Sequence, residues 1–471
     1  MSLLEQVPNV LAPLDPDFRP AALGHRAFCR HVQRYGDEAV LEVALERDSG
    51  QVTRARVQLS PHASDAALNQ RFSERWLKFL LWQHGAWRIQ LSGPQSVTCY
   101  LQRAYAPAGM REFDAEFMAQ VYRQPRFEAV TRRVEELPAP LVVERPLGRH
   151  LDGCRIGFDA GGSDRKVAAV IDGRQVFAAE TPWRPKLEAD PRYHYEGIKD
   201  SIRQARAHLP RLDGIGVSSA GIFVDHETRV ASLFRKVPAQ LFEARIRRIY
   251  LEIAEEMGVP VAVANDGDVA ALAGSMELDD APVLGLALGT SLAAGYVNAS
   301  GAIAGQLNEL AFAPLDYAVR AVRDEEWSRD QGVGVNYLSQ DAAIRLAVAA
   351  GIELPPTASP AERLAELQRK HAAGDERTSD VFDTLGAYLG YAVLLYSEFY
   401  LLKHVLVMGR VLSGSGGERI VKMARRVLQV EAPEVASEIT LGLPDETARR
   451  VGQSVAAASL VDLNRGDRND V

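Results

Sequence analysis

The chain has 471 residues, about three times the length of a common domain, so two or three domains are expected. Apolar residues make up 47% and charged residues 25%, and these fractions exclude wholesale disorder, a collagen-like helix and a coiled-coil rod. The formal net charge of −8 gives the chain no general attraction to nucleic acid.

The cysteine pattern predicts a protein of the reducing cytoplasm. Cys29, Cys99 and Cys154 lie far apart in the sequence and form no C-x-x-C zinc or redox pattern. No charged-then-apolar signal segment opens the chain. The longest apolar stretch, from Leu385 to Met408, is interrupted by charged side chains and therefore predicts a buried helix, not a membrane span.

Residues 1–150 predict a smaller α+β domain that ends in a proline-rich linker over 137–150. It carries 19 basic and 17 acidic residues, which gives it no nucleic-acid footprint, and a dimerisation domain or a lid would fit. Trp76, Trp82 and Trp87 form either a hydrophobic core or an aromatic ligand platform, and we favour the core. The predicted elements are a hairpin of residues 39–45 and 52–59, a helix over 68–83 ending at Gly85, and a strand over 88–91.

From Cys154 onwards, strands alternate with helices. The strand–turn–strand opening of this part occurs twice, about 130 residues apart, which predicts a duplicated α/β domain with two facing lobes. The predicted elements are strands over 154–159, 165–171 and 175–180, a helix over 195–209, a strand over 214–219, a helix over 241–257, and strands over 261–264, 283–288 and 293–297.

Two turns that follow predicted strands are candidate phosphate loops, although each could be an ordinary hairpin turn. Glycines let backbone N–H groups approach an anion closely, and serine or threonine adds a hydroxyl donor. Asp159, at the end of its strand, can hold a hydrated magnesium ion. The donor residues are Gly161, Gly162 and Ser163 in the first turn and Gly289, Thr290 and Ser291 in the second.

Asn265 and Asp266 follow a buried strand and precede an alanine-rich helix. Both residue types cap helix N-termini, and we expect Asp266 to be such a cap. The carboxyl end of a strand is also where open α/β sheets bind ligands, so the same carboxylate is a candidate catalytic group. A last candidate is the glycine-rich strand-to-helix junction with Gly409 and Gly414, which could lie against a nucleotide or be a flexible surface loop.

In this order, the stretches resemble the ROK family (repressor, open reading frame, kinase) of the actin–hexokinase–Hsp70 superfamily. The resemblance covers roughly residues 154–460. The matching stretches are Asp159 to Lys166 for D-x-G-G-T-x-x-K, Ala220 to Asp225 for P-G-x-V-D, Asn265 to Ala271 for N-D-x-x-A-A, Leu288 to Val297 for L-G-T-G-x-G-x-G-x-V, Asn308 to Phe312 for G-E-x-G-H, and Val407 to Val411 for the adenosine motif.

The resemblance implies an ATP-dependent kinase of a sugar or sugar-like polyol. Asp266 would be the general base on the sugar hydroxyl, and Asp159 would reach Mg²⁺ through the nucleotide. The sugar would be held by Asn265, Glu309 and Gly221. The residues implied at ATP are Asp159, Gly161, Gly162, Ser163, Lys166, Gly289, Thr290, Ser291, Gly409 and Gly414.

The chain departs from the family pattern at several positions. The family often carries a C-x-C-G-x-x-G-C zinc cluster, but no cysteine follows Cys154, so no zinc site is expected. Phe312 stands where the family has histidine, and Arg410 stands where its adenosine motif has glycine. A catalytically inactive or sensory sugar- or nucleotide-binding protein is therefore the alternative, whereas residues 1–150 offer no helix-turn-helix for a repressor.

The resemblance implies a duplicated, two-lobed ribonuclease-H-like α/β fold, preceded by the smaller α+β domain of residues 1–150. The first lobe would comprise residues 151–275 with 455–471, and the second residues 276–454. We expect Asp159, Asp266 and Gly289 to converge on one cleft. The expected partners are a small-molecule sugar and a second copy of the chain in a homodimer, with no nucleic acid and no membrane.

Overall fold

The structure is a computed structural model that describes residues 2–141, 147–444 and 446–463. The middle of the predicted linker, 142–146, lies outside the described residues. Contacts divide the chain into two compact units. Unit 1 comprises Met1–Val143, Leu286–Ala294 and Gln306–Leu443, and unit 2 comprises Glu144–Gly285, Gly295–Gly305 and Pro444–Val471. The domain boundaries expected from the sequence remain a prediction.

The N-terminal region of unit 1 is α+β, as predicted. Its elements are α1 (Ala21–Gln33), β1 (Val40–Glu46), β2 (Val52–Gln58), α2 (Ala66–His84), β3 (Arg88–Ser92), α3 (Gln95–Ala104), α4 (Glu112–Val121) and β4 (Glu128–Thr131). The predicted hairpin is confirmed, because β1 and β2 pair antiparallel from Val40 opposite Gln58 to Glu46 opposite Val52. The described strands of this sheet lie in the order β2-β1-β3-β4.

Helix α2 ends where the sequence predicted, at Gly85. That residue has φ +76°, a conformation that costs glycine little, and a Cβ there would overlap the hydroxyl of Tyr122. Trp76 and Trp82 are buried, which confirms the core interpretation for these two tryptophans, whereas Trp87 is half-buried. The first 20 residues of the chain also contact the rest of unit 1: the Tyr388 hydroxyl donates to Asp15 at 2.6 Å.

Unit 2 is built on a five-stranded sheet in the described order β11-β8-β5-β6-β7. Its elements up to residue 278 are β5 (Cys154–Ala160), β6 (Asp164–Ile171), β7 (Arg174–Pro182), α5 (Pro191–Arg206), β8 (Gly214–Ser219), β9 (Ile222–Val224), β10 (Glu227–Val230), α6 (Ala239–Leu241), α7 (Ile249–Met257), β11 (Val261–Asn265) and α8 (Asp266–Leu278).

The two faces of the central strand β5 meet different partners. Ile156 and Phe158 belong to a hydrophobic core with Ile198 and Ile202 of α5. On the other face, a Cβ at Gly157 would overlap the carbonyl oxygen of Ser454, so glycine lets the last helix lie directly on the sheet. Strand β5 pairs in parallel with β8 and antiparallel with β6, and it is buried along its whole length, as expected of a central strand covered on both faces.

The predicted helix over 241–257 is wrong as one continuous element. A π-helical segment, Phe242–Ile246, precedes α7, and α7 begins only at Ile249. The Arg247 N–H donates five residues back to Phe242, and the Arg247 carbonyl accepts from Thr228 of β10 at 2.9 Å. The Arg247 carbonyl therefore bonds to the neighbouring hairpin and not to a later residue of the helix. The spacing of apolar residues in the sequence gives no sign of this interruption.

The remaining elements are β12 (Val283–Leu288), β13 (Leu292–Val297), α9 (Gln340–Ala349), α10 (Pro360–Ala372), α11 (Arg377–Tyr396), β14 (His404–Met408), α12 (Ser415–Glu431), α13 (Pro433–Glu438), β15 (Thr440–Gly442) and α14 (Glu446–Ala458). Their strands form a sheet in the described order β13-β12-β14-β15. The second strand–turn–strand opening is shorter than the first, because after β13 only an isolated bridge joins Val297 to Ile303.

Among the described residues, no helix has the length and apolar character needed to span a bilayer. The long apolar stretch of the sequence forms a buried helix and, as the predicted strand-to-helix junction requires, a short strand after it. It comprises the second half of α11 and, after a break at residues 397–403, the strand β14. Gly386 and Gly390 of α11 face α12, where a Cβ would lie within 2.6 Å of Met423 and Val427 side-chain atoms.

Candidate functional site

Unit 2 places its candidate catalytic groups at the carboxyl ends of three adjacent parallel strands. Strand β8 pairs in parallel with β5 on one side and with β11 on the other. The register sets Asp159 opposite Ser218 and Asn265 opposite Ser219. The Ser218 hydroxyl donates to Asp159 Oδ1 at 2.7 Å, which holds this buried carboxylate in one orientation.

The prediction that Asp266 caps its helix is wrong, because Asn265 is the N-cap of α8. The Asn265 Oδ1 accepts from the Gly267 N–H at 2.7 Å. The Asn265 Nδ2 donates to the Gly221 carbonyl at 2.8 Å, so this side chain also holds the strand end beside it. Asp266 is the first helical residue, and its carboxylate also accepts from the Gly267 N–H, at 3.0 Å.

Gly221 occupies a position that requires glycine. Its φ is +141°, and a Cβ would lie 2.6 Å from the Val230 carbonyl oxygen and 2.7 Å from the Ala231 Cβ. The chain can therefore pass close to Asn265 at this point. Of the four hydrogen bonds that the Asn265 amide can make, two are used by Gly221 and Gly267.

The electrostatics of this edge favour a proton acceptor at Asp266. Burial, reinforced by the nearby charge of Asp159, raises the pKa of Asp266 to about 6. Burial also raises the pKa of Asp159, although its hydrogen bond from Ser218 acts in the opposite direction. A carboxylate with this pKa is mostly ionised at neutral pH and is more basic than an ordinary aspartate, as a general base should be.

The first candidate phosphate loop is a stiff turn between β5 and β6. The Gly161 N–H donates to the Asp164 carbonyl at 3.0 Å, and the Gly161 carbonyl accepts from the Trp183 indole at 2.7 Å. The Ser163 hydroxyl donates to the Asp164 carboxylate at 2.8 Å, and Lys166 lies 3.4 Å from the same carboxylate. Within the described chain, the Gly161 amide and the Lys166 ammonium are thus already engaged, whereas the amide of Gly162 has no recorded partner.

Lys186 is a residue beside this loop that the sequence reasoning missed. A Cβ at Gly162 would lie 3.5 Å from the Lys186 ammonium, and the lysine charge lowers the pKa of Asp266 against the larger effect of burial. No motif marks it, because it lies in an irregular proline-containing segment after β7. A cavity of about 530 Å³ opens here, lined by Gly162, Ser163, Pro182, Trp183, Arg184, Lys186, Leu187 and Tyr193.

Unit 1 brings the second candidate phosphate loop next to the adenosine stretch. Gly409 has φ +103°, and a Cβ there would overlap the backbone of Leu288, so the residue before Gly289 touches Gly409 directly. Gly414 has φ +71° and opens α12, and a Cβ there would meet no described atom within 4 Å. Thr290 and Ser291 are exposed. The predicted strand-to-helix junction is therefore confirmed as a local structure.

The backbone of Gly289 is occupied. Its N–H donates to the Ser291 carbonyl at 3.0 Å, and its carbonyl accepts from the Gln340 N–H at 2.8 Å. This turn therefore offers the hydroxyls of Thr290 and Ser291 to an anion, but not the Gly289 amide.

Glu309 lies in a tight segment of unit 1 just before a short 3₁₀ turn, Leu310–Phe312. Its neighbour Asn308 is buried, has φ +52°, and accepts a hydrogen bond from the Tyr400 hydroxyl at 3.0 Å. The Phe312 ring packs against Trp82, with 4.5 Å between the ring centroids. The aromatic side chain at 312 is thus part of an aromatic contact with the N-terminal region.

The predicted residues thus fall into two groups, one on each unit. Convergence of the two groups on one cleft remains a prediction. Among the described residues, no three histidine, cysteine or acidic side chains lie close enough together to hold a metal ion. The groups are Asp159, Gly161, Gly162, Ser163, Lys166, Gly221, Asn265 and Asp266 on unit 2, and Gly289, Thr290, Ser291, Glu309, Gly409 and Gly414 on unit 1.

Comparison with known proteins identifies the fold. No protein-family model and no curated protein matches the chain. The crystal structure of a ROK family transcriptional regulator, a homologue of the E. coli MLC protein, matches 66% of this chain and 79% of its own with 18% identity and a TM-score of 0.50.

Two sugar kinases also match, with lower TM-scores. A ROK hexokinase from Thermus thermophilus has 21% identity and a TM-score of 0.49, over 64% of this chain and 97% of its own. A ROK glucokinase from Streptomyces griseus, solved with glucose and AMPPNP, has 20% identity and a TM-score of 0.47, over 66% and 99%. The predicted resemblance is confirmed for the fold: this is an α/β chain with the fold of ROK-family structures.

Proposed function

We propose that the protein uses ATP to phosphorylate a hydroxyl of a sugar or sugar-like polyol, with Asp266 as the general base. The observation that carries this proposal is the pair of carboxylates, Asp159 and Asp266, at the ends of parallel strands β5 and β11. One carboxylate is buried and held by Ser218, and the other has its pKa raised to about 6. This difference suits Asp159 as the group that anchors the nucleotide and its Mg²⁺ and Asp266 as the group that accepts a proton.

The residues present fit a nucleotide with magnesium at the first turn. Asp159 is a hard oxygen ligand, of the kind that Mg²⁺ prefers, although it would reach the ion through water or the nucleotide. The Gly162 amide and the Lys186 ammonium are donors of the kind that bind phosphate. Bound Mg²⁺ would neutralise charge on the phosphates. In unit 1, Thr290, Ser291, Gly409 and Gly414 are the residues for the rest of the nucleotide.

Asp266 would then orient the acceptor hydroxyl and take its proton as the new O–P bond forms to the γ-phosphorus, while the bond from that phosphorus to the bridging oxygen breaks and ADP leaves. Asn265 has amide capacity left after its internal bonds and would hold a second hydroxyl, next to Gly221. Glu309 would accept from further hydroxyls. Carboxylates and amides at fixed positions are well suited to reading the hydroxyl pattern of a polyol.

Occupied backbone groups at Gly289 favour the second candidate, a protein that binds a sugar or nucleotide without turnover. That turn offers less to phosphate than a glycine-rich loop would. A cytoplasmic homodimer belongs to the same proposal, on the cysteine pattern and the family resemblance alone.

An ATP-turnover assay across hexoses, aminosugars and inositols separates the two candidates. The kinase proposal expects one of these compounds to stimulate ADP release in the wild type and not in Asp266→Asn. If the protein binds a compound in calorimetry but no compound stimulates ADP release, the binding protein is the correct alternative. If Asp266→Asn turns over at the wild-type rate, Asp266 is not the base.

A further inference from the structure

Glu309 is held by a helix that precedes it by more than two hundred residues. The Glu309 N–H donates to the Trp82 carbonyl and the Asn308 N–H to the Gln83 carbonyl, each at 3.0 Å. Both carbonyls belong to the last turn of α2, whose carbonyls have no partner within the helix. The segment 308–309 therefore completes the C-terminus of α2, and α2 in turn fixes the path of that segment.

A second set of hydrogen bonds fixes the backbone conformation of Asn308, the residue just before Glu309. Asn308 has a left-handed backbone conformation at φ +52°, and the Tyr400 hydroxyl donates to its side chain at 3.0 Å. The Gln83 amide donates to the Phe399 carbonyl at 2.9 Å, which joins α2 to the segment that carries Tyr400. The conformation at Asn308 is thus supported from both sides.

Aromatic contacts extend this support to helix α4. The Phe312 ring lies 4.5 Å from Trp82, 5.5 Å from Phe113 and 6.2 Å from Phe117, measured between centroids. The Trp82 indole donates to Asp114 at 2.9 Å, so its own orientation is set by α4.

The same face of α2 also anchors the segment that follows Glu309. Arg75, Lys78 and Trp82 occur at helical spacing and lie on one side of α2. Asp330 is 3.1 Å from Arg75, 3.3 Å from Lys78 and 2.5 Å from Arg111, the residue just before α4. Lys78 is fully buried and 2.7 Å from Asp114, so these contacts are ion pairs protected from water.

We propose that residues 1–141 are a structural part of the candidate sugar site, with Trp82 and Tyr400 as positioning residues that hold Glu309 in place. The proposal rests on the proposed function only for the role of Glu309. It assigns to α2 and α4 the task of fixing a sugar-binding segment within unit 1, instead of a separate dimerisation or lid function.

The test measures backbone hydrogen exchange of residues 306–316 in the full-length protein. Tyr400→Phe removes one hydroxyl, and Trp82→Phe removes the bond to Asp114 and part of the contact with Phe312. Each loses about one hydrogen bond, which corresponds to about fivefold faster exchange at Asn308 and Glu309. The control is Tyr105→Phe, since Tyr105 is a buried tyrosine whose hydroxyl has no partner among the described residues.

Kinetics with the compound that gives the highest turnover among D-glucose, N-acetyl-D-mannosamine and myo-inositol complete the test. Both variants should raise the sugar KM about fivefold or more and leave the ATP KM within about twofold. Unchanged exchange in both variants overturns the proposal. Faster exchange with an unchanged sugar KM overturns the link to the sugar site. Glu309→Gln judges the proposed function separately, since it should weaken sugar binding without changing exchange elsewhere.

Discussion

The carboxylate edge of unit 2 and the Glu309 segment of unit 1 are positioned in different ways. Asp159 and Asp266 take their places from the register of β5, β8 and β11, since Asp159 lies near the end of β5 and Asp266 directly follows β11. Glu309 lies outside regular strands and takes its place from a helix far away in the sequence. The first arrangement is set by the neighbouring strands of one sheet, and the second by a helix that lies far earlier in the chain.

The largest expected effect concerns the strand-end site. Asp266→Asn keeps the size of the side chain and removes the proton acceptor, so kcat should fall by about 10²–10⁴-fold. Because burial makes the carboxylate costly in the folded protein above its pKa, the melting temperature at pH 8 should be equal or higher. Turnover and thermal melts check both. If Asp266→Asn keeps the wild-type turnover, Asp266 is not the general base.

Removing the buried charge of Lys78 tests how much the stability of unit 1 depends on the ion pairs between the N-terminal region and Asp330. Lys78→Met leaves Asp114 and Asp330 short of a partner in a buried place, and should lower the free energy of unfolding by about 3–5 kcal/mol. Lys370→Met, at a more exposed pair with Glu366, is the control and should change it by less than about 0.5 kcal/mol. Equal effects in urea denaturation would show that the buried ions contribute no more than surface ones.

The turnover rate should depend on pH through the ionisation of Asp266. The pKa of Asp266 is raised to about 6, and the ionised form is the active one. The rate should therefore be nearly constant above pH 7 and fall about tenfold by pH 5. A pH–rate profile with ATP and sugar saturating checks this. A rate that stays level down to pH 5 would mean that Asp266 does not act as the base.

The smallest effect separates capping from catalysis. Asn265→Ala removes the N-cap of α8 and should lower the stability by about 1 kcal/mol. Asp266→Ala leaves that cap in place and should not lose this increment, although it should lose turnover. Chemical denaturation of the two variants makes the comparison. If Asp266→Ala were the less stable of the two variants, Asp266 and not Asn265 would be the helix cap.

The sequence predicted the strands of this edge and the polar residues at their ends, because these signals are local. A run of buried residues followed by Asp159 or Asn265 predicts both the strand and the place of the polar group. The capping role was assigned to the wrong neighbour, since Asn and Asp cap equally well and only the backbone distinguishes Asn265 from Asp266. The π-helical segment before α7 could not be predicted, because it accompanies a long-range hydrogen bond from the Thr228 N–H to the Arg247 carbonyl.

The support of Glu309 could not be predicted from the sequence. Trp82 appears there as one of three core tryptophans, and nothing nearby indicates that its carbonyl meets residue 309. Lys78 and Asp330 are ordinary charged residues until the fold brings them together. Long-range contacts of this kind leave no spacing or composition signal in one sequence. For the same reason, the substitution at Phe312 could be noticed but its contact with Trp82 could not.

The C-terminus of α2 has a consequence for synthesis of the protein. Its last carbonyls and the ions Arg75, Lys78 and Arg111 belong to residues made early, while their partners at 308–309 and 330 are made later. At bacterial-to-eukaryotic elongation rates, about 200–250 residues correspond to roughly 10–50 seconds on the ribosome. During that interval the nascent N-terminal region lacks the hydrogen bonds and ion pairs that residues 308–309 and 330 later supply within unit 1.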